Sequence, residues 1–184
     1  MGIIGKDFKY KLIKNFLTPE ELELGKSFYH LEHKKNTTCF DTEQNNNGNF
    51  WMYGDSFTET FMMKKLKKME EETGLELLPT YAFTRFYTFN ADLKPHTDRP
   101  SCEISISIMW DSDGTKWPLF IEGKPIEMEK GDGVIYLGME LSHWRENFTG
   151  DFHIQSFLHY VNKNGPHKEF IWDKKDIKYN AEII

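Results

Sequence analysis

The chain has 184 residues, enough to bury one sizeable core, and contains no obvious linker between domains. Hydrophobic residues make up 39% of it and aromatic residues 15%, which indicates a folded protein and excludes a disordered one. A formal net charge of −6 disfavours a basic surface that binds a phosphate backbone, so no nucleic acid partner is expected.

Cysteine usage and the lack of long apolar runs bear on the compartment. The two cysteines, Cys39 and Cys102, have no C-x-x-C spacing, so neither a disulfide framework nor a zinc ribbon is indicated. No run approaches the ~20 apolar residues of a membrane span, and residues 1–7 lack the apolar core of a signal peptide. We therefore expect a soluble, cytoplasmic protein with no membrane partner.

The N-terminal region predicts an edge strand followed by a helix. Residues 8–16 alternate loosely between apolar and polar side chains, as an edge strand does. Thr18 is placed as the N-cap of a helix, Pro19 occupies its first position, and Glu21 closes a capping box. Helical spacing predicts that the buried stripe of this helix consists of Leu24, Phe28 and Leu31.

A polar segment and a second helix come next. Residues 37–54 are rich in asparagine at their centre and predict a loop. Ser56 and Glu59 form another capping box, and Gly74 is placed to end the helix. Its predicted apolar side contains Phe57, Phe61, Leu66 and Met69. A solvated face, rather than a binding patch, is expected for Lys64, Lys65, Lys67 and Lys68.

From residue 77 onward the apolar residues recur at every second position, which predicts strands. One predicted strand carries on a single face Tyr81, Phe83, Arg85, Tyr87 and Phe89. The next carries Ile104, Ile106, Ile108 and Trp110. Helices followed by seven or eight short strands predict a mainly β domain, a two-sheet sandwich or jelly roll with helices packed outside. The charged tail after residue 165 predicts an irregular or partly ordered segment.

The pattern with the clearest chemistry is a His-x-Asp, His96 and Asp98, at the end of an extended run. Alternate side chains of a strand share a face, so both can bind one ion. A histidine from another β segment, His143, completes two imidazoles and one carboxylate, a set that suits non-haem Fe(II) and leaves positions open. An isolated His-x-Asp is usually not a metal site. The metal interpretation is favoured here because each of these residues ends or follows a predicted strand, where a small barrel brings them together.

This motif, with its distal His143, resembles that of the 2-oxoglutarate- and Fe(II)-dependent dioxygenases, and of the prolyl-4-hydroxylase-like proteins in particular. The stretch Asn-Phe-Leu-Thr-Pro-Glu-Glu at 15–21 is similar to the strand-to-helix entry of that group. The resemblance implies one dioxygenase domain over 1–184. Its expected parts are a helical support region at about 18–74, a double-stranded β-helix (jelly roll, cupin-like) at about 77–162 with two N-terminal helices packed on the barrel, and a tail at 163–184.

The same resemblance implies that Fe(II) is held by His96, Asp98 and His143, with 2-oxoglutarate and O₂ as co-substrates. Ascorbate is kept as an additional candidate cofactor. The implied reaction is hydroxylation of an unactivated C–H bond, and the presence of Asp98 favours a hydroxylase over the related halogenating enzymes, which lack that carboxylate. The prime substrate stays open between a peptide, with peptidyl proline as the family-level candidate, and a small molecule.

The anchor for the distal carboxylate of 2-oxoglutarate departs from the family pattern. The family places a Lys or Arg about ten residues past the distal histidine, but His153 stands there. Arg145 is the preferred replacement, because it lies on the strand of the distal histidine and a guanidinium binds a carboxylate through two parallel hydrogen bonds. His153 itself is a candidate, as a neutral hydrogen-bond donor to the same carboxylate or as a packing residue. Tyr87 and Arg85 are further candidates for co-substrate contact. The alternative for Arg145 is an ion pair with Glu140 or Glu146.

Two rival functions come from other classes. One is a cupin-like metal- or small-molecule-binding module without oxygenase activity, and the other is a structural jelly roll with an incidental His-x-Asp. Both leave inward-facing Arg145 and Tyr87 unexplained, since polar groups are costly to bury without a partner. A smaller expectation concerns Arg99, which either pairs with Glu103 or, if a bend in the strand turns it inward, contacts the substrate.

Overall fold

The computed structural model describes residues 8–35 and 50–175, and the side chain of residue 174 is excepted. The strands in these ranges are β1 (Tyr10–Ile13), β2 (Phe50–Tyr53), β3 (Leu77–Thr88), β4 (Leu93–His96), β5 (Ile104–Ser112), β6 (Leu119–Ile121), β7 (Lys124–Ile126), β8 (Gly133–Tyr136), β9 (His143–Arg145) and β10 (Phe152–Asn162). The helices are α1 (Pro19–Lys35) and α2 (Ser56–Thr73), and two 3₁₀ segments span Pro100–Cys102 and Lys168–Lys174. Residues 1–7, Cys39 and most of the predicted loop lie outside the described residues.

The strands form two antiparallel sheets, so the domain is mainly β as predicted. The larger sheet has the order β1-β8-β5-β10-β3-β2, and the smaller has the order β4-β9-β6-β7. Central strand β5 is buried along its whole length, which fits its predicted apolar face. In the smaller sheet, the β4–β9 register pairs His96 with His143. Sheet pairing therefore brings together two residues that are 47 positions apart in the sequence.

Helix α1 packs on the larger sheet through Gly25 and Tyr29. The predicted stripe is right for Phe28, which packs against the core, and wrong for its two leucines. Leu24 and Leu31 are 62% and 50% exposed. A Cβ built on Gly25 would lie 2.1 Å from a ring carbon of Trp110, which shows how closely the helix backbone approaches this indole. The glycine selects the buried face because only a residue without a side chain permits that approach.

The two helices start with different caps. The predicted capping box of α1 is confirmed: the Glu21 amide donates to Thr18 Oγ1 at 3.2 Å, and the Thr18 amide donates to Glu21 Oε2 at 2.9 Å. In α2 the predicted cap is wrong by one residue. Asp55 is the N-cap, and its carboxylate accepts from the Thr58 amide at 2.9 Å, while Ser56 is the first helical residue.

The body of α2 follows the prediction apart from one lysine. Gly74 ends the helix in the left-handed conformation with φ 71°. Buried positions on its apolar side include the predicted Phe61, Leu66 and Met69. Lys65 was placed on the solvated face but is only 6% exposed, and its ammonium donates to Glu21 Oε2 at 2.6 Å and to Phe16 O at 3.1 Å. Its long aliphatic stem lies in the core while its charge is paired.

The edge strands of the larger sheet and the tail agree with the prediction in part. The last residues of the predicted loop form β2, at the edge of the larger sheet. β1 forms the opposite edge, as predicted for residues 8–16. The tail contains the 3₁₀ segment Lys168–Lys174, which is interrupted by non-helical backbone at Ile171, Trp172 and Asp173. Within the described residues, no helix is long and apolar enough to cross a membrane.

Candidate metal centre and co-substrate pocket

A cavity of about 390 Å³ is lined by residues of both sheets. Four members of the predicted strand face line it, namely Tyr81, Phe83, Arg85 and Tyr87. Phe89, the predicted fifth member, lies beyond the end of β3 and is 66% exposed, so that part of the prediction is wrong. Three further lining residues are His96, Asp98 and His143. The alternating residues of β3 and the His-x-Asp motif therefore line the same cavity.

The three predicted ligands converge. Their ligand atoms all lie within 4.8 Å of one another. His96 Nε2 is 3.5 Å from Asp98 Oδ1, and His143 Nε2 is 3.6 Å from Asp98 Oδ2. His96 ends β4 and His143 begins β9, so backbone pairing within the smaller sheet fixes their spacing.

Backbone carbonyls orient both imidazoles. His96 Nδ1 is 2.8 Å from Lys94 O, and His143 Nδ1 is 2.9 Å from Leu141 O. Because a carbonyl only accepts, each Nδ1 is the donor, and in the neutral ring the lone pair is on Nε2, the atom near Asp98. Metal-binding histidines typically have this outer hydrogen bond, which fixes the tautomer and the ring orientation.

The electrostatics of Asp98 and His143 fit a divalent cation, whereas the hydrogen bond with Asp98 raises the pKa of His96. Burial raises the pKa of Asp98, but its hydrogen bond with His96 and the nearby histidines outweigh this and lower it, so the carboxylate stays ionised. Burial lowers the pKa of His143 and favours the neutral ring that can bind a metal. Asp98 Oδ2 is buried and has no hydrogen-bond partner among the described residues. An unpaired carboxylate oxygen beside two imidazole nitrogens is a donor set that fits Fe(II).

Arg145 is a buried cation with unused donors. The residue is 2% exposed, and its Nη1 donates to the carbonyl of Trp117. Nε and Nη2 are buried and have no hydrogen-bond partner among the described residues, and no ion pair with a glutamate is found there. Burial lowers the pKa of Arg145 to about 10. Arg145 does not line the cavity itself. It interacts electrostatically with Tyr87 and Tyr136, and both of these tyrosines line the cavity.

His153 differs from Arg145 in charge and in position. It is 2% exposed, and its Nε2 lies 2.7 Å from Gln155 Oε1. Burial, and then the charge of Arg145, lower its pKa to about 3, so the ring is neutral. It lines a different cavity, of about 430 Å³, instead of the one that contains the metal candidates. His153 therefore supplies no positive charge for a carboxylate.

Comparison with known proteins gives matches in structure only. No protein-family model matches the sequence, and no curated protein matches it. A Pseudomonas putida prolyl-4-hydroxylase is 15% identical with a TM-score of 0.65, over 85% of this chain and 94% of that one. HygX from Streptomyces hygroscopicus, with nickel and 2-oxoglutarate bound, is 8% identical with a TM-score of 0.66, over 85% and 83%. The chain has the fold of the 2-oxoglutarate- and Fe(II)-dependent oxygenases.

One of the similar structures is a prolyl hydroxylase with a bound peptide. A Trichoplax adhaerens prolyl hydroxylase in complex with a hypoxia inducible factor peptide fragment is 12% identical with a TM-score of 0.64, over 91% of this chain and 88% of that one. The two antiparallel sheets and the few helices described above match this fold. Because all three identities are low, the chemistry of this chain has to be argued from its own residues.

The sequence analysis missed a second donor group that shares Asp98. Ligand atoms of Asp98, Cys102 and His159 also lie within 4.8 Å of one another. Burial lowers the pKa of His159 to about 4 and raises that of the Cys102 thiol to about 12, so both are neutral at pH 7. His159 Nδ1 contacts Ser105 Oγ at 2.8 Å, and Cys102 Sγ contacts the hydroxyl of Tyr81 at 3.1 Å. The alternation of β10 indicates that His159 faces inward, because it lies on the same face of the strand as His153.

Arg99 has a different partner from the predicted one. Its Nη2 lies 2.9 Å from Asp173 Oδ2, in the C-terminal 3₁₀ segment, and the hydroxyl of Tyr53 donates to the same oxygen. Glu103, the predicted partner, accepts from the amide of Asn162 at 2.8 Å instead. Arg99 and Tyr53 both line the cavity of the metal candidates.

Proposed function

We propose that the protein is an Fe(II)- and 2-oxoglutarate-dependent oxygenase that hydroxylates an unactivated C–H bond. On this proposal the two sheets form a double-stranded β-helix within a single catalytic domain. The observation that carries it is the convergence of His96, Asp98 and His143 within 4.8 Å in a cavity, with Asp98 Oδ2 unpaired. Support also comes from the shared fold.

His96 Nε2, His143 Nε2 and the Asp98 carboxylate would hold the metal. Three protein ligands leave positions for a co-substrate and O₂, as a catalytic site needs and a closed structural site does not. Bound Fe(II), with 2-oxoglutarate and O₂, supplies the oxidation: 2-oxoglutarate becomes succinate and CO₂, and the substrate gains a hydroxyl group. The carbonyls of Lys94 and Leu141 keep both rings in the tautomer that presents Nε2.

Arg145 would bind the distal carboxylate of 2-oxoglutarate. Its unpaired Nε and Nη2 can donate two parallel hydrogen bonds to a carboxylate, and the bound anion would neutralise a charge that is costly to bury alone. Tyr87 lines the cavity and interacts electrostatically with Arg145, so Tyr87 is a second contact in the proposal. Arg85 lines the same cavity, and its guanidinium lies 5.9 Å from the ring centroid of Tyr87. The neutral His153 is assigned to packing beside Arg145.

The rest of the cavity would exclude water and orient the substrate. Its aromatic lining and its volume of about 390 Å³ suit a small-ligand site, for which ~300 to 1,000 Å³ is typical. The cupin-like binding module is the second candidate function. It accounts for the three metal ligands but leaves the buried, unpaired Arg145 without a role.

Succinate formation from 2-oxoglutarate separates the two functions. Purified protein supplied with Fe(II), 2-oxoglutarate and air should release succinate, and Asp98→Ala should lower the rate by at least about a hundredfold. Glu127→Ala is the matched control, since it removes an exposed carboxylate that pairs with Lys116. Wild-type protein that binds Fe(II) but forms no succinate would favour the cupin-like module. Turnover retained by Asp98→Ala would contradict the metal assignment.

A further inference from the structure

The cavity beside the metal candidates is lined by two arginines and one aspartate, although the whole chain carries a formal charge of −6. Its titratable lining includes the basic residues Arg85, Arg99, His96, His143 and His159. The acidic lining residue is Asp98, which the proposed function assigns to the metal. The positive charge of the lining arginines favours anions in this cavity, and a second anion besides 2-oxoglutarate is therefore a reasonable occupant.

Arg99 lies where it could hold a substrate next to the metal. It directly follows Asp98 in the sequence, and its side chain is half exposed. Its guanidinium lies 4.5 Å from the ring centroid of Tyr81, and this stacking contact orients the planar group. Tyr53, on β2, lines the cavity from the edge of the larger sheet. Arg99 and Tyr53 therefore present two donors from different elements.

These two donors already bind a carboxylate, and it belongs to the chain itself. Asp173 Oδ2 accepts from Arg99 Nη2 at 2.9 Å and from the Tyr53 hydroxyl. The Asp173 side chain is only 11% exposed. Trp172 and Asp173 have φ angles of 51° and 52°, in the left-handed region that costs free energy for residues other than glycine. The backbone is therefore strained at the residue whose carboxylate binds Arg99 and Tyr53.

We propose that Arg99 and Tyr53 form a carboxylate-binding subsite for the prime substrate, that this substrate is a small carboxylic acid, and that Asp173 occupies the subsite until the acid displaces it. This rests on the proposed function. The cavity volume of about 390 Å³ lies near the lower end of the range for ligand sites and also has to contain 2-oxoglutarate, which argues for a small molecule. A purely structural clip between the tail and β2 is the competing explanation.

A binding experiment tests the subsite without the reaction. Asp173→Ala empties the subsite, and propionate is added to the metal-free variant while the thermal unfolding midpoint is followed. Propionate should raise the midpoint of Asp173→Ala in a saturable way, beyond its effect on wild type. Propionamide should not, because it lacks the charge.

The controls identify the residues that bind the probe. Tyr53→Phe combined with Asp173→Ala should weaken propionate binding about tenfold, the effect of losing one hydrogen bond to a charged group. Asp151→Ala, which removes an exposed carboxylate elsewhere, should behave as wild type does. Asp173→Asn, which keeps the shape of the side chain, replaces Asp173→Ala if the latter fails to fold. The proposal fails if propionate does not raise the unfolding midpoint of Asp173→Ala or Asp173→Asn, or if it raises the midpoint equally when Tyr53→Phe is added. Asp173 would then be a structural clip between the tail and β2.

Turnover then tests the substrate class. Pairs of small carboxylic acids and their primary amides are compared for stimulation of succinate release by the Fe(II)- and 2-oxoglutarate-supplied protein. Acids should stimulate and amides should not, and Tyr53→Phe should raise KM for the acid about tenfold with a smaller change in kcat. Equal stimulation by amides, or stimulation by peptides alone, would overturn the proposal. If wild type releases no succinate at all, the proposed function has failed, while the propionate titration still decides on the subsite.

Discussion

Replacing Arg145 with methionine is expected to stabilise the fold and to abolish tight 2-oxoglutarate binding. Burial lowers the pKa of this guanidinium by more than two pH steps, to about 10. Because one pKa step corresponds to about 1.4 kcal/mol, holding the charge inside costs the folded protein roughly 3 kcal/mol at pH 7. For a base with a depressed pKa, this cost applies at every pH below about 10 and disappears as the pH rises from there to the ordinary pKa of an arginine.

The substitution also removes two favourable contacts. Arg145 donates to the carbonyl of Trp117, and its guanidinium lies 4.6 Å from the ring centroid of Trp117. Each contact contributes about 1 kcal/mol, so Arg145→Met should gain a net ~1 kcal/mol in free energy of unfolding. The two donors that a ligand carboxylate would use are lost at the same time. At about 1.5 kcal/mol or more per charged hydrogen bond, Kd for 2-oxoglutarate should rise at least about a hundredfold.

Urea unfolding at pH 7 measures the stability, and calorimetric titration of 2-oxoglutarate into anaerobic, Fe(II)-loaded protein measures the affinity. His153→Gln is the comparison variant. It changes a neutral side chain at the position where the family has its cation, so it should alter Kd less than tenfold. The reasoning is refuted if Arg145→Met loses stability and keeps its affinity, or if His153→Gln weakens binding as much as Arg145→Met does.

Two further predictions concern helix α1 and its cap. Gly25→Ala should cost about 1–3 kcal/mol of stability, because the new Cβ meets the Trp110 ring at 2.1 Å, whereas exposed Leu24→Ala should change it by less than ~0.5 kcal/mol. Similar urea midpoints for the two variants would contradict the packing described. For Glu21, burial raises the pKa, but hydrogen bonds led by that from Lys65 outweigh it and lower the pKa to about 2. Its contribution is therefore present above pH ~4.5 and lost as the pH falls towards 2. It amounts to about 1 kcal/mol after solvent screening, and Glu21→Gln should lose correspondingly less stability between pH 6 and pH 3 in urea titrations. If wild type and Glu21→Gln lose the same amount of stability between pH 6 and pH 3, the assignment of this pH dependence to Glu21 is wrong.

The metal candidates could be selected from sequence because their geometry is local or sheet-based. A spacing of two on an extended run puts His96 and Asp98 on one face whatever the rest of the fold does. His143 was found because it follows a predicted strand. Which hydrogen-bond donors of Arg145 are paired could not be predicted. One of them binds the carbonyl of Trp117, which is 28 residues away in the sequence.

The errors in the helices have physical causes as well. A search for apolar periodicity selects Leu24 and overlooks Gly25, yet close packing on Trp110 requires the residue without a side chain. Lys65 looks solvated because its charge dominates any hydropathy pattern, although its partner Glu21 is distant in sequence and near in space. The contact of Asp173 with Arg99 spans 74 residues and has no local pattern, so the tail was predicted to be irregular.

Anaerobic titration of Fe(II) into the protein with 2-oxoglutarate present tests the central claim most directly. The predicted result is a weak visible charge-transfer band that saturates at one Fe(II) per chain and is absent in His143→Ala. A protein that gives no band, or a His143→Ala variant that keeps it, would contradict the assignment of His96, Asp98 and His143 as the site of an oxygenase.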